Sequence, residues 1–304
     1  MKIIIFGNTS FTGIALKKHF ERFLDYEIFL VGRTKNQDKN FFYFEPSKIQ
    51  ENNKLSLKNI FDKIGVDKKT IIINLISEGN VDLCESDPER SKFLNVDFVK
   101  ILYSAIEPYK FKKFIHFSTN AVYDGYNPPY SETTIAKPIN VYGNHKLEID
   151  KYLLSYNDNR IIIIRPTTMY GDISKGGRSN PVGMIIKNLL EKKPINLVND
   201  LIVNILYVED LCEILHKVVE SDFYGLINVA GPESFSRYEL GLEIALILEL
   251  NDSLISECSM SDFPSSADRP LNTTFDITHM KSFLKSEPSN IKNVLETKNY
   301  KSFF

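Results

Sequence analysis

A phenol and an amine four residues apart can work as an acid and its tuning cation, and this chain offers that spacing twice: Tyr142 with Lys146 in "VYGNHK", and Tyr109 with Lys113 in "YKFKK". Positions i and i+4 share one helix face. A buried ammonium beside a phenol favours the phenolate and lowers its pKa from about 10 towards neutrality. A positioned acid or base of that kind contributes roughly 10²- to 10⁴-fold in rate. Context separates the two pairs. Tyr109 falls at a helix end just ahead of the apolar run "KFIHF", where the lysines read as solvated. Tyr142 begins a helix after a loop carrying Pro128, Pro129 and Pro138, downstream of a strand that ends with Ser118 and Thr119. Hydroxyls at a strand's carboxyl end lie where open α/β sheets bind their ligands.

The elements that must position this pair are legible as alternating runs. "KIIIF", "EIFLV", "FFYF", "TIIIN", "KFIHF" and "RIIII" are near-continuous apolar stretches, as expected of parallel strands covered on both faces. Helices are predicted between them, over 12–24, 57–64 and 88–106, the last capped by Asp87 with Pro88 in its first turn. The order reads as repeated βαβ, hence an α/β fold with a doubly wound parallel sheet of Rossmann type. After Arg165-Pro166 the pattern loosens, with Gly176-Gly177, Pro181, Pro194, Gly231-Pro232 and Pro264 breaking shorter elements. The expected organisation is a dinucleotide-binding domain over 1–165, with a return segment near 202–228, and a smaller mixed α/β substrate domain over 166–304.

Composition narrows the function classes. With 304 residues, 43% of them hydrophobic, the chain can bury a large core, and its net charge of -2 is not gathered in blocks. That leaves no electrostatic footprint for nucleic acid or a membrane surface. The apolar run that follows Met1 is interrupted by Gly7, far short of a signal peptide or membrane span, so a cytoplasmic location is expected. Cys84, Cys212 and Cys258 are odd in number, far apart and without metal-type spacing, which predicts reduced structural thiols and no metal site.

The first strand runs into "FGNTSFTG", placing Gly7, Ser10, Phe11, Thr12 and Gly13 at a strand-to-helix turn. Backbone amides and the helix dipole at such a turn attract a pyrophosphate, and glycine lets the chain approach it closely. An ordinary tight turn is the alternative. The second strand ends "LVGRT", where an acid would suit the adenosine ribose hydroxyls but Arg33 suits a 2′-phosphate. This favours NADP, with NAD as the alternative if Arg33 is merely solvated; Thr34 and Lys35 could add contacts.

In order and spacing, "HFSTNAVYDG", "PPYSE", "KPINVYGNHK", "IIIRPTTMYG", "YVEDL" and "ADRPLNTTFD" resemble the extended short-chain dehydrogenase/reductases, most closely the dTDP-4-dehydrorhamnose reductase family. The resemblance covers nearly the whole chain. It implies hydride transfer between a nicotinamide and a nucleotide-sugar carbon, usually position 4 of the hexose. Tyr142 would then donate a proton to the ketone oxygen, Lys146 would hold the ribose and tune the phenol, and Thr119 would hydrogen-bond the same oxygen. Asn74, Ser77, Ser118 and Arg165 would flank the cofactor. Asn120, Tyr123, Thr168 and Arg269 would meet the substrate, Arg269 through a phosphate. For each a plainer reading stands: Asn74 could cap a strand end, Thr119 could bond backbone, Tyr123 could be a core aromatic and Arg269 a surface ion pair. His116 reads as a satisfied core histidine and His145 as exposed.

The chain departs from that family at Ser10, where the phosphate turn commonly has glycine, at Asn120 and Ala121 within the usual "STDYVF", and at Glu45 in place of an aspartate. An additional acid and base beside the threonine, needed for dehydration, are missing. A 4-epimerase or 4-dehydrogenase stays open beside the reductase. So does a non-catalytic NADP-binding subunit, because "YDGYNPPYSE" also resembles the regulatory subunit of methionine adenosyltransferase. The partner expected is a nucleotide sugar, with assembly as a homodimer left open.

Overall fold

The isoleucine runs form strands whose alternate residues feed two separate cores. In a computed structural model that describes residues 1–34, 37–173, 180–263, 265–283 and 287–304, Ile4 and Phe6 point into one core while Ile3 and Ile5 point into the other. Ile161 and Ile163 divide from Ile162 and Ile164 in the same way. Each fully buried aliphatic side chain contributes about 1.5–3 kcal/mol, so a strand buried on both faces needs an unbroken apolar run. Lys35, Gly176, Gly177 and Pro264 lie outside the described residues.

In chain order the first part runs β1 (Lys2–Phe6), α1 (Phe11–Phe20), β2 (Glu27–Gly32), β3 (Phe41–Tyr43), α2 (Gln50–Ile64) and β4 (Thr70–Asn74). Next come α3 (Val81–Ser86), α4 (Pro88–Lys92), α5 (Phe98–Ile106), β5 (Lys113–Phe117), α6 (Val141–Ser155) and β6 (Ile161–Pro166). The remainder comprises β7 (Thr168–Tyr170), α7 (Pro181–Leu190), β8 (Ile195–Val198), β9 (Ile202–Tyr207), α8 (Val208–Glu220), β10 (Gly225–Val229) and β11 (Ser234–Ser236). It ends with α9 (Arg237–Ile247), β12 (Ile255–Cys258), α10 (Thr278–Phe283) and α11 (Ile291–Thr297).

The large sheet has seven strands in the order β10-β6-β5-β4-β1-β2-β3, every pair parallel. The winding reverses between β1 and β4, and the loops leaving those two strands diverge at their carboxyl ends, the switch point at which doubly wound sheets open a cleft. Helices α2, α5 and α6 cover one face, while α1 and α8 cover the other. After β6 the chain builds a three-stranded sheet, β11-β9-β7, and a two-stranded one, β12-β8, with its own core around Tyr170, Ile185, Leu240 and Phe303. Between these, α8 and β10 rejoin the large sheet.

Three helices differ from their predicted extents: the one expected over 57–64 begins about two turns earlier, as α2 from Gln50. The one expected over 12–24 ends at Phe20, where tighter i→i+3 bonds from Arg22 and Phe23 close it. The one expected over 88–106 is interrupted by a π-helical turn, Phe93–Asp97, between α4 and α5. Such turns often mark functional sites. This one turns the buried Asn95 towards the loop after β4, where its Oδ1 accepts the Glu78 amide at 3.0 Å and its Nδ2 donates to the Glu78 carbonyl at 3.0 Å. Asp87 caps α4 by accepting from the Arg90 amide, with Pro88 in the first turn.

Asn95→Leu keeps the volume but strips both partners from the Glu78 backbone. Each buried group left unpaired costs about 1–3 kcal/mol, so the urea midpoint of the variant should fall clearly below that of the parent; equal midpoints would show that water replaces the asparagine without loss.

Candidate active site

The carboxyl ends of β1, β4 and β5 border a cleft of about 730 Å³, which contains on its walls the Gly7–Thr12 turn, Arg33, Ser77, Ser118, Thr119, Asn120, Tyr142 and Thr168. Two walls therefore face each other: a strand-to-helix turn on one side and hydroxyl-bearing residues on the other.

The turn is shaped by its own atoms. Gly7 sits at φ +87°, a left-handed conformation that side chains rarely adopt, and a Cβ on Gly13 would stand 2.5 Å from the Gly7 carbonyl oxygen. Ser10 caps α1: its Oγ accepts the Gly13 amide at 3.0 Å and donates to the Gly7 carbonyl at 2.8 Å. The serine that replaces the usual glycine thus turns its hydroxyl into the turn, and Phe11 and Thr12 open the first turn of α1 onto the cleft. Thr12 also reaches across to β7, its Oγ1 lying 3.7 Å from the Met169 sulfur. Arg33 is exposed on the cleft wall, while Glu45 is bound by the Tyr43 hydroxyl at 2.9 Å and Phe44 and Pro46 take the wall beside it.

On the opposite wall, α6 starts with Asn140, whose side chain accepts the Gly143 amide at 2.8 Å and donates to the Asp268 carbonyl at 2.8 Å. Gly143 has no room for a Cβ, which would collide with the Ala121 carbonyl. The helix therefore rests directly on the 3₁₀ turn that follows Thr119, bringing Tyr142 beside that threonine. The phenol does not behave as its spacing suggests. Burial pushes it up to about 12, with the hydrogen bond to Thr119 working in the opposite direction, so it is protonated across the physiological range.

Lys146 shares that burial. It is buried behind the wall rather than on it, its Nζ donating to the Phe117 carbonyl at 2.5 Å and lying 3.3 Å from His116 Nε2. Burial lowers its pKa to about 8, against the pull of the Asp150 carboxylate one turn on. Asp150 is fully buried too. Its Oδ2 accepts Arg165 Nε at 3.0 Å, Arg165 Nη2 at 2.9 Å and the Ser118 hydroxyl at 2.8 Å. Arg165 gives its remaining Nη1 to the Tyr123 hydroxyl at 2.9 Å, and Tyr123 stacks on Tyr130 with ring centres 4.4 Å apart.

Of the residues expected at the site, then, the turn, Arg33, Ser77, Ser118, Thr119, Asn120, Tyr142 and Thr168 are brought together on one cleft. Lys146, Asn74, Arg165 and Tyr123 are buried behind it. Arg269 stands apart, pairing with Asp82 on α3 at 2.7 Å, and the same carboxylate also binds Ser265 and the Ala267 amide. Asn120 reaches that segment through a 2.6 Å bond to Thr273. The second tyrosine-lysine pair is no site at all. Tyr109 donates to Asp62 at 2.6 Å, and Lys113, expected to be solvated, is buried in β5 with its Nζ on the Phe223 carbonyl at 2.6 Å. His145 is half-buried against the Ser91 hydroxyl rather than exposed.

Sequence reasoning passed over Asn8 and Arg90, which also line the cleft. Asn8 Oδ1 and Thr167 Oγ1 are buried without a partner, two polar atoms at the cleft walls that no protein group satisfies. The signal for Asn8 was its place directly after the left-handed glycine. Nothing in the sequence marked Arg90. Among the described residues no cluster suited to a metal ion occurs, and no helix is long and apolar enough to cross a membrane.

The family described as the RmlD substrate binding domain matches residues 1–299. A dTDP-4-dehydrorhamnose reductase of Aggregatibacter actinomycetemcomitans is 27% identical over 250 residues, 78% of this chain and 83% of its own. Methionine adenosyltransferase 2 subunit beta of Xenopus tropicalis is 28% identical over 221 residues, 70% of this chain but 65% of the subunit. The crystal structure of dTDP-4-dehydrorhamnose reductase from Bacillus anthracis in complex with NADP shares the fold over 97% of both chains, with a TM-score of 0.77 at 21% identity.

The buried lysine has a measurable consequence. With a folded pKa of about 8 and an unfolded value of about 10.4, the unfolded chain binds more protons between those limits, so the stability of the parent rises with pH across that window. Lys146→Met removes the charge and should stabilise the protein most at pH 7, by about 2–3 kcal/mol. That advantage should shrink towards pH 10. Urea unfolding at both values reads it, and an advantage independent of pH would mean that the amine titrates normally.

Proposed function

The chain belongs to the RmlD substrate binding domain family, and from that premise we propose that it is an NADP-linked reductase of the 4-keto group of a nucleotide-linked deoxysugar. The observation that carries this reading is the placing of Tyr142 and Thr119 on the cleft wall opposite the Gly7–Thr12 turn. The residues present suit a dinucleotide. The start of α1 offers amides and a positive dipole end to a pyrophosphate, and Arg33 offers a cation to a 2′-phosphate. Asn8 Oδ1 and Thr167 Oγ1 offer acceptors that hydroxyl or amide donors would satisfy. When bound, the nicotinamide supplies hydride to the carbonyl carbon.

The chain's own residues supply the rest. Tyr142, held protonated by burial, gives its proton to the carbonyl oxygen as charge develops there. Thr119 donates a hydrogen bond to the same oxygen, a donor set in place before the reaction. Lys146 stands behind the phenol and stabilises the phenolate left after transfer. In this reading the part over 166–304 mainly binds the nucleotide sugar, and Arg269 exchanges Asp82 for a substrate phosphate.

A second reading keeps the nucleotide fold without turnover: a regulatory subunit, favoured by the 28% identity to methionine adenosyltransferase 2 subunit beta. One experiment separates them. NADPH is incubated with dTDP-, UDP- and GDP-linked 4-keto sugars and its oxidation is followed at the nicotinamide absorbance. At least one should be reduced, and Tyr142→Phe should lower kcat by roughly 10²- to 10⁴-fold with little change in NADPH affinity. Arg33→Ala should weaken NADPH binding roughly tenfold or more while leaving NADH nearly unaffected. Tight NADPH binding with no oxidation by any of the sugars would move the assignment to the regulatory class.

A further inference from the structure

Behind the cleft wall four polar groups from two adjacent strands, the loop after β4 and α6 form a hydrogen-bond chain whose direction is fixed at one end. The Ile76 amide donates to Asn74 Oδ1 at 3.2 Å, which orients the Asn74 amide and leaves its Nδ2 facing His116 Nδ1 at 3.2 Å. The opposite amide orientation would set two N–H donors against each other at Ile76. Nδ1 of His116 therefore accepts. In a neutral imidazole the proton then sits on Nε2, and Nε2 faces Lys146 Nζ at 3.3 Å.

An ammonium cannot accept that proton, since it has three donors and no lone pair. An uncharged amine can, while still donating to the Phe117 carbonyl at 2.5 Å. We propose that His116 is a positioning residue: through the Ile76–Asn74–His116 chain it presents Nε2–H to Lys146 and favours the uncharged form of that amine against β5 in the nucleotide-free protein. Its catalytic meaning rests on the reductase reading, in which the protonated form of the amine stabilises the phenolate; the chain of bonds itself does not.

The surroundings agree. His116 is fully enclosed, and burial followed by the neighbouring lysine pushes its pKa well down, so it is neutral. Lys146 is likewise lowered by burial. The groups that face it are Asp150 on the same helix, His116 on β5 and the buried Cys84 on α3, with Arg165 on β6 acting through Asp150, while Asp150, Cys84 and Glu78 also act on the phenol of Tyr142. Asp150 leads the groups that pull towards the ammonium, ahead of Cys84, and its Oδ2 is already engaged by Arg165 and Ser118.

The test is a pH titration of nucleotide-free protein labelled with [ε-¹³C]lysine, the Lys146 resonance being the one lost in Lys146→Met. It should titrate at about 8 or below. His116→Phe removes a donor to the neutral amine and should move the midpoint up by about one unit. Asn74→Leu frees His116 to take the other tautomer and accept from an ammonium, and should move it up as well. This second variant decides the matter if His116→Phe does not melt cooperatively. A parent midpoint near the ordinary lysine value of about 10.4, or a midpoint that stays or falls in the variants, overturns the proposal. Because no sugar or nucleotide is added, an intact titration with no NADPH oxidation sinks the reductase reading alone.

Discussion

A single carboxylate oxygen ties together the elements that make the cleft wall. Oδ2 of Asp150 on α6 holds Ser118 at the end of β5 and the guanidinium of Arg165 at the end of β6. A buried charge is tolerated only where it is paired and hydrogen-bonded, so the helix can dock in just one register against those two strand ends. Tyr142, Lys146 and Asp150 follow one another at four-residue steps, and the stripe they form on α6 turns from cleft to interior along its length. The phenol at the cleft end and the hydroxyls of Ser118 and Thr119 inherit their positions from the ion pair at the interior end.

How much of this the sequence disclosed depends on whether a feature is set by period or by direction. The strands were legible because burial on both faces demands unbroken apolar runs, and Ile71, Ile72 and Ile73 leave little room for another reading. Tyr142 and Thr119 were legible for a related reason, since the end of a strand and the start of a helix place residues at the sheet's open edge. Side-chain direction was not. Lys113 and Lys146 share a residue type and the same spacing from a tyrosine, yet one is spent on the Phe223 carbonyl and the other on the Phe117 carbonyl. Arg165 and Arg269 look alike as candidate anion binders, but the first satisfies a buried carboxylate and the second an exposed one. Ser10 read only as a departure from the usual glycine, and the direction of its hydroxyl, which caps the helix, was not legible.

The expectation that Lys146 lowers the phenol's pKa failed for a physical reason. Both groups are withdrawn from water, and withdrawal disfavours charge on each, raising the acid and lowering the base. Burial thus keeps the phenol protonated and brings the amine's titration down to about 8, closer to neutrality than a free lysine's.

Gly143 gives the arrangement one more property. Main chain of α6 lies against main chain at Ala121 with no side chain between them, so the gap from Tyr142 to Thr119 is fixed by a mechanical stop rather than by adjustable side-chain packing. Loops around the cleft can diverge and remodel the sugar they admit without disturbing the aim of the phenol. One backbone contact suffices to keep the position of the helix start independent of the loops that shape the rest of the cleft.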